Sequence, residues 1–410
     1  MALDAVLDVV LSGLALIGHL ALFLACFNRL HAIGMHRRPR RWLELLLVCL
    51  SAGAIVWHGW SWISGVSPFA AWHSGTPWLP TYANLCLLAA AAAVPCWLWP
   101  KLVAREPSQL AACESRRISV SAEVGAIPLS GQARVFALFP GNEFLQLEIS
   151  QKTLHVSGLP RELHGLTITH LSDLHFTGDV GQPYFDFVID QANQLESDVL
   201  VISGDIIESV RCESWLQETL GRLHAPLGKY YVLGNHDKRM PDVARVRQLL
   251  NATGLKDLGG RCTHVDWRGC TVLLAGNERP WFPAVSDDQL ARAMGSQGEP
   301  PFRMLVSHSP DQFRWARRHG FELMLAGHNH GGQVRFPLLG PLVSPSLYGT
   351  RYSGGVYYES PTVMHVSRGI SGEHPLRWNC LPELTQLRLQ GVGAVATTVG
   401  DNLAASQHGR

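Results

Sequence analysis

At 410 residues the chain is long enough for two or three structural units, and its formal net charge of +1 excludes a global electrostatic footprint for nucleic acid. The hydrophobic share is 47%, and a charged share of only 16% is low for a purely soluble protein. Nine scattered cysteines, an odd number with no C-x-x-C pair, exclude a disulfide framework and a thiolate zinc site.

Three apolar runs come first, at 9–27, 43–60 and 82–99. Each has the length that crosses a hydrocarbon core as a helix. A buried globular core is the weaker reading, because no amphipathic helix separates them. A cleaved signal peptide is disfavoured, since Asp4 and Asp8 stand where a basic front is needed. Arg37, Arg38, Arg40 and Arg41 follow the first run, residues 61–80 hold no Lys or Arg, and Lys101 and Arg105 follow the third. Basic loops stay cytoplasmic. The pattern predicts an external N-terminus, three crossings of the cell inner membrane, and the rest of the chain in the cytoplasm. Trp57, Trp60, Trp62, Trp72 and Trp78 crowd the outer side, and Trp97 and Trp99 the inner. His19 and Pro95 lie inside spans, either as functional groups or as a tolerated polar atom and a kink.

The domain plan is therefore a transmembrane region at 1–105, a linker at 106–142, an α/β domain at 143–390 and a small, polar, disordered tail at 391–410. The linker carries short strands near 117–124 and 133–139. Runs 147–149 and 154–156 read as a hairpin edge, and 166–171 as the next strand. Pro183 opens a helix with Phe185, Val188, Ala192 and Leu195 on one face. Strand 199–202 is apolar on both faces, as buried parallel strands are. A helix bearing Trp215, Leu216, Leu220 and Leu223 leads to strand 230–233. A helix bearing Val243, Val246, Leu249 and Leu250 follows. Strands 271–275, 303–307 and 323–326 alternate with helices opened by Ser286 and spanning 311–319. Such alternation argues for a layered α/β domain.

Five polar motifs sit at the C-terminal ends of these strands: Asp173-Leu-His175, Gly204-Asp205, Gly234-Asn235-His236-Asp237, Ser307-His308-Ser309-Pro310 and Gly327-His328-Asn329-His330-Gly331-Gly332. Ligands bind at that end of an open α/β sheet. Asp173 and His175 share one side of an extended chain, and Asp205 has two oxygens with which to bridge cations. Any one of these histidines alone reads better as a satisfied core residue. The ordered set of five does not.

The set resembles the calcineurin-like metallophosphoesterase superfamily over residues 154–383. The lead-in at 159–168, Gly331-Gly332-Gln333, Ser367-Arg368-Gly369 and Pro382-Glu383 are similar to its membrane-associated bacterial members, of the UDP-2,3-diacylglucosamine pyrophosphohydrolase type. The resemblance implies a layered β-sandwich flanked by helices and preceded by the transmembrane helices. It implies two divalent metal ions, Mn, Fe, Zn or Mg: Asp173, His175 and His330 hold the first, Asn235, His308 and His328 the second, and Asp205 bridges them. Catalysis falls to His236 beside the leaving group, with Asp237 orienting its ring. Glu208 stands where many relatives carry Asp and is given no ligand role, Asn329 shapes a turn, and His170 is structural.

The implied reaction is hydrolysis of a phosphate ester or pyrophosphate, in a lipid or lipid-linked substrate at a membrane, with no nucleic acid partner. The alternatives are a general or cyclic-nucleotide phosphodiesterase, a protein phosphatase, and a membrane sensor or transport protein with a regulatory metal domain. The Gly-Asp motif continues Ile206-Ile-Glu-Ser209 instead of the Asp-Arg-Gly of protein phosphatases, which ranks that option last. Arg279, Arg335, Arg351 and Arg368 are candidates for phosphate oxygens or for surface ion pairs. Loops 279–283 and 336–342 present apolar surface toward lipid or pack the domain edge.

Overall fold

The computed structural model describes residues 2–64, 78–103, 106–295 and 302–391, which fall into two compact units, Met1–Arg105 and Glu106–Arg410. Trp72 and, apart from Gly391, the expected tail lie outside the described residues.

The first unit is helical: α1 (Ala2–Ala32), α2 (Arg37–Ser64) and α3 (Trp78–Val103). Val6–Ala32, Arg37–Trp60 and Thr81–Trp99 are long and apolar enough to cross a membrane. Their outer faces expose Leu46, Leu50, Val56 and Leu88. His19 of α1 is buried, with Nε2 2.9 Å from Ser51 Oγ of α2 and Nδ1 on the Tyr82 hydroxyl of α3. Both ring nitrogens thus tie the three helices together, a packing role. A Cβ at Gly18 would come 1.7 Å from the Cys86 carbonyl oxygen, so glycine sets the close crossing of α1 and α3.

The second unit begins with β1 (Leu110–Ser119), α4 (Val120–Val124), α5 (Gly131–Phe136) and β2 (Gln146–Val156). The expected linker at 106–142 is therefore structured. β1 pairs antiparallel with β2 from Ser119↔Gln146 to Leu110↔Leu154, as an exposed sheet edge. The expected hairpin at 147–149 and 154–156 is instead the single strand β2.

Alternating elements follow: β3 (Thr167–Leu171), α6 (Gln182–Gln194), β4 (Val199–Ser203), α7 (Glu213–Glu218), β5 (Gly228–Val232), α8 (Val243–Ala252) and β6 (Lys256–Asp257). Next are β7 (Cys262–Trp267), β8 (Cys270–Asn277), α9 (Asp287–Gly295), β9 (Phe302–Ser307), α10 (Phe313–Arg318), β10 (Leu323–Ala326), β11 (Arg335–Phe336), β12 (Gly340–Pro341), β13 (Gly355–Glu359), β14 (Thr362–Val366) and β15 (Glu383–Gly391).

Two sheets result, in the orders β1-β2-β15-β3-β4-β5-β6 and β13-β14-β10-β9-β8-β7, with β11-β12 a small separate ribbon. β3, β4, β5 and β6 run parallel, as do β8, β9, β10 and β14. Side-chain alternation builds three hydrophobic layers. Val199 and Val201 of β4 meet Met304, Val306, Leu323 and Leu325 between the sheets. Leu200 and Ile202 face Phe185, Val188 and Leu216 of α6 and α7. Leu305, Met324 and Ala326 face Phe313 and Ala316 of α10. The fold is a helix-flanked sandwich of mixed sheets, with its parallel strands pointing their C-terminal ends at one rim.

Candidate metal centre

That rim gathers the sequence motifs. β3 delivers Asp173 and His175, β4 Asp205, β5 Asn235 and His236, β9 His308, and β10 His328 and His330. The chain turns sharply as each strand ends. Among the described residues ten non-glycine positions have positive φ, and five are Asp173, His175, Asp205, His328 and His330, between 47° and 70°. Such backbone is costly outside glycine and concentrates at functional sites. It is held here by hydrogen bonds: Asp173 N–H donates to Gly204 O and His175 N–H to Asp205 O, each at 2.9 Å. Gly234 admits the packing, since a Cβ there would lie 2.1 Å from Asp205 Oδ1.

Two groups of donor atoms meet at Asp205. In the first, His175 Nε2 lies 3.2 Å from His330 Nε2 and 3.7 Å from Asp205 Oδ2, and His330 Nε2 lies 3.4 Å from Asp173 Oδ1. In the second, His308 Nε2 lies 3.2 Å from Asp205 Oδ2, 3.1 Å from Asn235 Oδ1 and 3.1 Å from His328 Nδ1. All seven residues expected as ligands therefore come together.

The outer nitrogens decide what the inner ones offer. His308 Nδ1 lies 2.7 Å from Ser203 O, and His330 Nδ1 lies 3.1 Å from Ser371 O, so each donates there when neutral. His175 Nδ1 is engaged by Glu208. Each ring then aims an Nε2 lone pair at carboxylate oxygens and other lone pairs. A convergence of buried acceptors is satisfied by a cation, so this donor set fits divalent metal ions. Burial pulls His175 and His308 down, but Glu208 for the first and Asp205 for the second carry each to about 9. Burial alone would raise Asp205, yet His308 and His236 hold it well below the usual carboxylate range.

His236 stands at the edge, its ring edge-on to His175 at 4.6 Å and its Nε2 3.9 Å from Asp205 Oδ2. Its partner is not the expected one. Asp237 faces away and accepts the amides of Ile206, Ile207 and Gly234 at 2.9, 2.9 and 2.8 Å. Burial and the Asp205 charge push its carboxyl up to about 7. Glu208 Oε1 lies 2.7 Å from His236 Nδ1 and also binds His175. At the mouth, Arg239 pairs with Glu373 at 3.1 Å, and Glu373 Oε2 lies 3.7 Å from His236 Nε2.

Other side chains support the site unannounced by any motif. Trp281 is buried against His308 and His328, with ring centroids at 5.3 and 4.7 Å. Arg377 is fully buried and donates to His330 O at 3.0 Å, Arg368 O at 2.7 Å and Ser371 O at 2.5 Å. Of the arginine candidates, Arg368 is committed to Glu383 and Glu148, and Arg351 to Glu359. Arg335 Nε donates to Gly331 O, and Arg279 is exposed. Asn329 Nδ2 donates to Tyr352 O at 2.8 Å, outside its own turn.

Residues 166–332, which hold all five motifs, match the family of calcineurin-like phosphoesterases. The chain carries a calcineurin-like metallophosphoesterase domain. This is the domain of a metal-dependent phosphoric ester hydrolase. The uncharacterized metallophosphoesterase YkuE of Bacillus subtilis is 28% identical over 253 residues, covering 60% of this chain and 86% of that protein. A transmembrane protein with metallophosphoesterase domain from Danio rerio is 31% identical over 256 residues, covering 57% of this chain and only 55% of its own length. The UDP-2,3-diacylglucosamine pyrophosphatase LpxG of Chlamydia trachomatis is 22% identical over 284 residues, covering 55% and 84%.

Proposed function

We propose that this metallophosphoesterase is membrane-anchored and binuclear, and that it hydrolyses a phosphate ester or pyrophosphate in a lipid or lipid-linked substrate such as UDP-2,3-diacylglucosamine. The observation that carries the reading is the double convergence of buried acceptors on the two sides of Asp205. Asp173, His175 and His330 would hold one ion, Asn235, His308 and His328 the other, and Asp205 both. Bound there, two divalent ions supply positive charge opposite the phosphoryl oxygens and make water acidic enough to act as a nucleophile.

The protein's own groups do the rest. Glu208, against His236 Nδ1, aims the opposite nitrogen at the site, where Nε2 would pass a proton to the departing oxygen. Asp237 holds the backbone of the Gly-Asp and Gly-Asn motifs in register through its three amides. Trp281 shields His308 and His328 from water. The lipid part of the reading is supported by three helices of membrane-crossing length and by the printed activity of the Chlamydia relative. The arginines at 37–41 favour a cytoplasmic catalytic unit at the inner membrane.

The test uses full-length protein purified in detergent. Mn²⁺-dependent turnover of a model phosphodiester, lost in both Asp205→Asn and His236→Ala, is the expected result, with UMP released from UDP-diacylglucosamine. Turnover without UMP release sends the substrate reading to other lipid phosphates. No turnover with Mn²⁺, Fe²⁺, Zn²⁺ or Mg²⁺ overturns the hydrolase reading.

A further inference from the structure

One rim of the metal centre is apolar where a soluble enzyme would be polar. The ribbon of β11 and β12 leaves the site three residues after Gly332, and its tip projects Leu338, 93% exposed, beside the exposed Phe336 and Leu339. A second element joins it. After α5 the chain exposes Leu138 at 82% and Phe139 at 52%. Phe139 and Trp378 line a shared groove of about 190 Å³. The Phe336 ring stands edge-on to Trp378 at 5.7 Å. Asn142 Nδ2 ties the two parts, donating to Phe136 O at 2.9 Å and Pro375 O at 3.0 Å. Trp378 N–H donates to Gln333 O at 3.0 Å, which anchors the patch to the His330 loop.

Charge points the same way. Segments 131–142, 333–347 and 374–380 contain no Asp or Glu, with Glu143 and Glu373 just outside them, and they carry Arg134, Arg335 and the buried Arg377. An acid-free apolar patch with Phe and Trp at its centre and arginines at its border has the chemistry of an interfacial lipid contact. A protein partner offers no reason for the missing carboxylates. An anionic bilayer does, because each would be repelled. The same chain carries three helices of membrane-crossing length, so a lipid surface is always near.

We propose that this patch, formed by Leu138, Phe139, Phe336, Leu338, Leu339 and Trp378, rests on the surface of an anionic bilayer and turns the His330 side of the metal centre toward lipid. It builds on the membrane-anchored reading above and adds how substrate arrives: along the bilayer, past an apolar lip.

The experiment is hydrogen exchange on the full-length chain, in detergent and in nanodiscs of phosphatidylcholine with or without phosphatidylglycerol. Segments 131–142 and 333–343 should slow about five-fold or more in the anionic discs. The protection should vanish in Phe139→Asp/Leu338→Asp, two exposed positions whose change leaves turnover of a soluble phosphodiester intact. Equal exchange in all three environments, or protection that survives the double substitution, overturns the proposal. Protection that rises with protein concentration in detergent assigns the patch to a second copy and also overturns it. Protection with no turnover on any lipid phosphate sinks the substrate reading and keeps the surface. Lipid turnover without protection does the reverse.

Discussion

Two buried histidine clusters lie within one domain, and they are built on opposite plans. At the sheet rim, His175 and His308 face carboxylates and are lifted to about 9. Between the sheets, His170 Nδ1 lies 2.9 Å from His365 Nδ1 and its Nε2 lies 2.8 Å from Ser203 Oγ. His365 Nε2 lies 3.1 Å from Lys152 Nζ, which donates to Glu383 at 2.6 Å. Burial, with Lys152 adding to it, drives His170 down to about 3 against the Glu383 charge. His170 and Asp173 are three residues apart on one strand end. The inner cluster closes on itself, each ring nitrogen having a partner. The rim cluster leaves acceptors facing acceptors. Partner chemistry, more than burial, separates a histidine that locks two sheets from one that waits for a cation.

The largest effect expected from this contrast is Asp205→Asn. Losing the charge shared by both donor groups should cut Mn²⁺-dependent turnover about 10³-fold or more and lower bound metal, measured by elemental analysis. The inner cluster should respond in stability and not in metal content. Glu383→Ala leaves Lys152 buried without its carboxylate and Arg368 with Glu148 alone, and should cost about 3–5 kcal/mol, seen as a fall in Tm that added metal does not repair. Chelation should do the opposite. With metal at a hundredfold its Kd, about 2.7 kcal/mol of stability is lost on stripping, and a His170→Gln variant should lose the same increment.

A pH series sharpens the comparison further. Burial would raise Glu383, but Lys152 and Arg368 hold it well below the usual carboxylate range. Its folded pKa is thus below its unfolded value of about 4.3, so the unfolded chain takes up the proton first. Its contribution is full above that value and fades as pH falls below it. Glu383→Gln should flatten the acid limb of the Tm profile. The smallest effect belongs to the exposed pair of Arg351 and Glu359, where Arg351→Ala should stay within about 0.5 kcal/mol.

Much of this was legible in the chain. Apolar strands ending in ligand-type residues place seven donors at one rim, and three long apolar runs become three helices. What escaped did so for local reasons. The resemblance casts Asp237, next to His236 in the chain, as the group that orients its ring. A tight turn sends its carboxylate back to three amides instead, while Glu208, from the end of another strand, reaches the ring. β1 reads Leu-Ala-Ala-Cys-Glu-Ser-Arg-Arg-Ile-Ser and stays exposed along most of its length, so it has no apolar alternation to read. Its backbone pairing with β2 is what makes it a strand. Arg377 carries no motif, and only the fold reveals that its guanidinium is buried among carbonyls.

β15 has a consequence for how the molecule is made. It lies between β2 and β3, parallel to one and antiparallel to the other, near the middle of the seven-stranded sheet. Residues 383–391 leave the ribosome after every other described strand. Until they do, β2 and β3 present unpaired edges toward a gap, and the Glu383 carboxylate is missing from beside Lys152. The catalytic unit therefore closes after synthesis of its last strand, when the apolar helices have long preceded it. Its half-built sheet spends that interval open to misassociation, and chaperone protection over those seconds is part of what this topology demands.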